Sequence, residues 1–194
     1  MLDLSRCAVF MDRDGTLNQD RGYVWRHEDW EWLPRAILAL RLLTLTGIKV
    51  AVVTNQAGIA RGMYTDEDVK ELHRLVDESL VDSDASIAGW YHCPHHPDIT
   101  GECDCRKPGP GLLQKAAQDL GVELSDCYMV GDKLSDVEAG MNAGVRLSVL
   151  VRTGHGREVE GLPEGVAEAG DVLDATRVIL EDIYKRSTVR RSLD

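Results

Sequence analysis

Short apolar runs of strand length alternate along this chain with longer segments whose apolar positions recur at helical spacing. The runs "CAVFMD" (7–12), "IKVAVVTN" (48–55), "IAGWYHC" (87–93), "CYMVGD" (127–132) and "RLSVLVRTG" (146–154) are predicted strands, the first apolar enough to be buried on both faces. Between them, 34–46 carries Ile37, Leu40 and Leu43 at helical spacing, with Pro34 near its start and Gly47 past its end. Thr65 stands as an N-cap before a polar helix with acids in its first turn, where the helix dipole favours them. A helix over 110–120 closes at Gly121, and a further one opens on Ser135 and Glu138 at capping-box spacing and stops near Gly144. The last spans 174–186. Strand and helix in alternation, without repeats or low-complexity linkers, predict an α/β fold: a three-layer, Rossmann-like parallel sheet with helices on both faces. The expected organisation is one domain over 1–186 and a polar tail over 187–194.

Composition narrows the function. At 194 residues, 43% hydrophobic and 28% charged, the chain suits one core without disulfides. No apolar run reaches membrane-spanning length, and "MLDLSRCAVFMDRDG" lacks the basic flank and apolar core of a secretion signal, so the expected location is cytoplasmic. A net charge of -11 disfavours nucleic acid as a partner and leaves a small molecule as the expected one. The sequence gives little on assembly, and a monomer is expected. Cys7 and Cys127 lie in apolar runs and read as small core residues.

Polar chemistry gathers where strands end, which in a parallel sheet is one edge. Asp12 and Asp14 follow the first strand, Thr54, Asn55 and Gln56 the second, and Asp132 and Asp136 the fourth. Two carboxylates in "DRDGT" and two more in "GDKLSD" repel one another unless a cation neutralises them. Mg²⁺ suits such a set, because it takes few carboxylates and completes its shell with water and phosphate oxygens.

The remaining cysteines form a second cluster. In "YHCPHHPDITGECDCRKP", Cys93 and His95 stand two apart, as do Cys103 and Cys105, a donor set and cadence suited to a tetrahedral zinc with no open position. His92 and His96 compete for the imidazole place, but the match of Cys-x-His to Cys-x-Cys favours His95. Arg106 and Lys107 follow the last ligand directly. The metal is thus expected to fix a polar loop, 93–105, from which two cations reach an anionic substrate.

These motifs in this order, DxDGT, a strand-end Thr-Asn, a Lys-Pro and GDxxxD, resemble the haloacid dehalogenase superfamily of aspartate-nucleophile phosphotransferases. That resemblance spans roughly 6–156. It implies Asp12 as nucleophile, Asp14 as general acid and base, and Thr54 and Lys107 on the phosphoryl oxygens. It also implies Mg²⁺ held by Asp12, Asp132 and the backbone carbonyl of Asp14, with Asp136 orienting that shell. No large cap insertion is present. With "NQDRGYV", "VTNQAGIARGMY" and the zinc quartet joined to "RKP", the chain resembles more closely the branch acting on D-glycero-D-manno-heptose 1,7-bisphosphate. That likeness implies a sugar bisphosphate substrate near Asp20, Arg21, Gly22 and Tyr23, then Asn55, Gln56 and Ala57, then Arg106 and Lys133. A related branch acting on histidinol phosphate shares the aspartates and the quartet.

Overall fold

The computed structural model describes residues 4–191. Six strands, β1 (Ala8–Met11), β2 (Lys49–Asn55), β3 (Gly89–Cys93), β4 (Tyr128–Gly131), β5 (Leu147–Val151) and β6 (Ala167–Ala169), form one all-parallel sheet in the order β3-β2-β1-β4-β5-β6. The helices are α1 (Ala36–Leu45), α2 (Asp66–Leu80), the single turn α3 (Pro97–Thr100), α4 (Gly111–Leu120), α5 (Leu134–Ala143) and α6 (Val172–Arg191).

Alternation along each strand divides the interior into two cores. Val9, Met11, Val50, Val52, Val130, Val149 and Val151 face α1 and α6, packing on Leu40, Leu43 and Ile179. Ala8, Phe10, Ala51, Val53 and Met129 face the other way, onto Leu113, Ala116 and Ala139 of α4 and α5. Cys7 and Cys127 are both fully buried. The sheet is therefore covered on both faces, as its apolar strands require. A third cluster joins α2, through Leu72 and Val76, to Val24 and the rings of Trp30, Trp32 and Trp90.

Helix ends follow the sequence signals with one exception. Thr65 and Asp68 form the full capping box at α2, 3.1 Å from Asp68 N to Thr65 Oγ1 and 2.8 Å from Thr65 N to Asp68 Oδ2, an arrangement that contributes about 1 kcal/mol. Gly121 and Gly144 close α4 and α5 in the left-handed conformation. At the start of α5, however, the expected Ser135–Glu138 pair plays no capping role. The helix begins at Leu134, and Asp136 reaches back to the N–H of Lys133 at 2.9 Å.

Two elements differ in extent from expectation. Strand β6 has only three residues, too few to show a period. Helix α6 begins at Val172 and continues to Arg191, because no glycine or proline follows Arg186 to stop it; Ser192, Leu193 and Asp194 of the expected tail lie outside the described residues.

The strand order sets the site. Connections from β1 lead toward β2 and those from β4 toward β5, so the chain leaves the centre of the sheet in opposite directions. A crevice opens between the carboxyl ends of β1 and β4, where ligands bind in sheets of this topology.

Candidate active site and metal centres

Asp12 leaves β1 with its N–H bonded to Val130 O at 2.9 Å, which fixes it beside the end of β4. The chain then folds tightly on itself: the N–H groups of Thr16, Leu17 and Asn18 all point at Arg13 O. Gly15 adopts φ +89°, and a Cβ there would lie 2.2 Å from Asp132 Oδ2. Only glycine admits both this backbone and this approach. Asp12 and Asp14 both line a cleft of about 40 Å³, together with Thr54, Asn55, Lys107, Lys133, Ser135 and Asp136.

Each Asp14 oxygen accepts two hydrogen bonds. Oδ1 receives Asn18 Nδ2 at 2.9 Å and Arg13 Nη2 at 3.1 Å, while Oδ2 receives Arg13 Nε and Gln56 Nε2, each at 3.1 Å. Arg13 is itself wholly buried and donates also to Val24 O at 2.5 Å. The carboxylate is thus held from three directions by donors that are themselves fixed.

Lys107 supplies a second buried cation. Its Nζ lies 2.7 Å from Asp12 Oδ1, from Asp136 Oδ1 and from Val53 O. Burial works against its charge, but the two carboxylates outweigh burial and hold the ammonium above its ordinary range. Asn55 clamps the backbone at this point, its amide giving to Lys107 O and taking from Lys107 N, each at 3.1 Å. The end of β2 therefore sets where the lysine stands.

Asp132 is the carboxylate without enough partners. Oδ2 accepts from the N–H of His155 at 2.8 Å, whereas Oδ1 is buried with no hydrogen-bond partner among the described residues. Burial, and then the neighbouring Asp12, push its carboxyl up to about 8. Oxygens of Asp12, Asp132 and Asp136 lie within 4.8 Å of one another. An orphaned oxygen in a buried, all-oxygen donor set is the environment a hard divalent cation satisfies. Asp136 is already engaged at both oxygens, by Lys107 and by the Lys133 N–H.

The other expected site residues are spread more widely. Lys133 Nζ lies 3.3 Å from Asp20 Oδ2; burial opposes its charge, but Asp12, Asp132 and Asp20 raise its pKa. Asp20 also accepts from the N–H of Gly22, which turns at φ +95°. Arg21 is exposed and pairs with Glu31, and Tyr23 is partly exposed beside Tyr64. Ala57 is half-buried. Gln56, expected near substrate, is 2% exposed with every polar atom bound within the protein, and it does not line the cleft. Arg106 donates to His95 O at 3.1 Å and lines a separate hollow of about 230 Å³ with Pro97, Glu102, Cys103, Lys107 and Pro108.

The second cluster assembles as its spacing suggests. Ligand atoms of Cys93, His95, Cys103 and Cys105 lie within 4.8 Å of one another, with the sulfurs 3.0–3.6 Å apart, the thiols free, and His95 presenting Nδ1. The competing imidazoles are engaged elsewhere: His92 Nε2 lies 2.6 Å from Asp66, and His96 Nε2 lies 2.7 Å from Arg61. Burial, then the neighbouring thiols, push the Cys105 thiol up. The donor set and closeness fit zinc.

Comparison with known proteins accords with this geometry. A HAD-hydrolase-like family model matches residues 104–175. The chain is 42% identical over 178 residues to the D-glycero-beta-D-manno-heptose-1,7-bisphosphate 7-phosphatase of Haemophilus influenzae, covering 89% of this chain and 96% of that protein. It is 47% identical over 152 residues to the corresponding phosphatase of Escherichia coli K12, covering 76% and 80%. The chain belongs to the heptose-bisphosphatase branch of the haloacid dehalogenase superfamily. Among solved structures, that of D,D-heptose 1,7-bisphosphate phosphatase from B. bronchiseptica, complexed with magnesium and phosphate, superposes with a TM-score of 0.83 at 33% identity, covering 91% of this chain and 99% of that one.

Within this family fold, several contributors to the site were not singled out from the sequence. Arg13 acts on Asp14 from inside "DRDGT", and Asn18 from two residues beyond it. Gly154 and His155, after β5, cover Asp132: a Cβ on Gly154 would lie 2.2 Å from its Oδ2. Thr153 ties the same loop to Gly15 O at 2.6 Å. The "RTGHG" run after an apolar strand was the available signal for this further strand-end loop, the one after β5.

Proposed function

We propose that this protein hydrolyses the 7-phosphate of D-glycero-D-manno-heptose 1,7-bisphosphate with Mg²⁺, through an aspartyl-phosphate, in the making of nucleotide-activated heptose. The observation that carries this reading is the buried group of Asp12, Asp132, Asp136 and Lys107 at the sheet's switch point, with Asp132 Oδ1 lacking a partner among the described residues. The family names supply the substrate.

An oxygen of Asp12 attacks phosphorus; the new Asp12 O–P bond forms as the bond from phosphorus to the sugar oxygen breaks. Asp14 hands its proton to the departing alkoxide. It then takes one from the water that cleaves the aspartyl-phosphate, freeing inorganic phosphate and restoring Asp12. Lys107 and Thr54 hold the phosphoryl oxygens. Asp12, Asp132 and the backbone carbonyl of Asp14 would hold Mg²⁺, which supplies positive charge against the anionic phosphoryl group. Cys93, His95, Cys103 and Cys105 would hold a structural zinc, which would fix the loop that leads into Arg106 and Lys107. Arg106 offers the planar fork for the second phosphate, and Lys133 with the 20–23 loop meets the sugar. The enzyme acts in the cytoplasm as a monomer on a small molecule.

Phosphate release from heptose 1,7-bisphosphate, its 1-phosphate and histidinol phosphate tests this. Expected is loss of the 7-phosphate alone, dependent on Mg²⁺. Preference for histidinol phosphate would move the protein to the neighbouring branch, and no release from any ester would remove the catalytic reading.

A further inference from the structure

Gln56 has a donor end and an acceptor end of nearly equal shape, and both are committed. Its Nε2 donates to Asp14 Oδ2 at 3.1 Å and to Thr54 Oγ1 at 2.9 Å, while Oε1 accepts from Tyr64 OH at 2.8 Å. In the resting site Asp14 takes three other N–H donors, from Arg13 and Asn18, and as a carboxylate it can only accept, so the NH₂ must face it. The carbonyl must then face Tyr64, and the phenol must be the donor. With the residue 2% exposed, no solvent can take the phenol's place at Oε1.

Tyr64 is itself held. It is 6% exposed, stacks on Trp25 with ring centroids 6.0 Å apart, and lies where any Cβ on Gly58 would come within 2.2 Å of its ring. Burial pushes its phenol up to about 12, so the hydroxyl stays a donor across the working range. Tyr64 is not among the residues lining the carboxylate cleft.

We infer that Tyr64 is a positioning residue for Asp14, acting through the Gln56 amide. This rests on the phosphatase reading above. Without the hydroxyl, Oε1 is a buried acceptor with no donor, and the amide turns away from Asp14 to find one. Arg13 and Asn18 still hold the carboxylate, so the loss is partial. It falls on proton delivery to the leaving group, the step in which the direction of Asp14 matters.

The test compares a sugar phosphate, whose alkoxide needs a proton, with 4-nitrophenyl phosphate, whose phenolate leaves without one. Tyr64→Phe keeps the ring and removes one atom. It is expected to lower kcat on the sugar ester about tenfold with KM within twofold, while first-turnover release of nitrophenolate stays within twofold of wild type. Gly58→Ala, which displaces the ring, is expected to give the same ester-selective loss. In a Gln56→Leu background, Tyr64→Phe is expected to add less than twofold, since its route to Asp14 is already gone. Equal losses on both esters, no loss, or multiplying losses in the double variant would each overturn the inference. A wild type inactive on both esters would overturn the phosphatase reading with it, whereas an active wild type matched by Tyr64→Phe would overturn this inference alone.

Discussion

Lys107 Nζ lies 2.7 Å from Asp12 Oδ1, across 95 residues of chain. An ammonium that also touches Asp136 is therefore the fixed counter-charge of the proposed nucleophile. Lys107→Met should reduce kcat by about 10²–10³-fold, the cost of removing one preorganised charge from an anionic transition state. It should also destabilise the metal-free protein by about 3 kcal/mol, because two buried carboxylates lose their partner. Phosphate release and urea unfolding measure the two effects; a stable, fully active variant would contradict both.

The Asp132 carboxyl, at about 8 in the folded protein against an ordinary value near 3.8, binds its proton more tightly folded than unfolded. Its contribution to stability is therefore complete below about pH 4 and is lost as pH rises to about 8. Magnesium must displace that proton. Its apparent affinity should climb about tenfold per pH unit from 6 to 8 and flatten above. Calorimetric titration in two buffers of different ionisation enthalpy counts the proton released; a flat profile would be inconsistent with the site described.

Gly15→Ala should remove magnesium binding and destabilise the protein by about 1–3 kcal/mol. The left-handed backbone at φ +89° strains any side chain, and the methyl would stand 2.2 Å from Asp132 Oδ2. Magnesium titration with thermal unfolding reads both.

Cys103→Ala should release zinc, loosen the 93–105 loop and lower kcat at least tenfold, while magnesium affinity stays within twofold of wild type. The zinc set lies beyond β3, and the carboxylates hang from β1 and β4. Metal analysis alongside phosphate release checks this, and a zinc-free variant with unchanged kinetics would show the loop holds itself.

What the sequence made legible were features whose physics is local. Apolar runs gave five strands, since buried parallel strands must be apolar throughout. The two-apart cadence gave the zinc set and favoured His95 over His92 and His96, and in the fold the latter two have other partners. Strand β6 was too short for a period to show. The cap of α5 was misread because Asp136, two residues earlier than expected, serves the helix start and Lys107 together. Gln56 is expected at the substrate from its place after β2, and nothing in one dimension shows that Tyr64, Thr54 and Asp14 engage its polar atoms. Arg13, Asn18 and His155 were missed for the same reason: their roles come from a turn and from the loop after β5 brought over the first.

The carboxylates depart from adjacent central strands, while Cys93 departs from the sheet's outermost strand on that side. With Arg106 proposed to meet the second phosphate, lengthening or trimming the stretch between His95 and Cys103 is expected to change which ester is admitted without shifting Asp12 or Asp132. Ligand preference can thus be revised in one segment while the buried carboxylates stay in place in others.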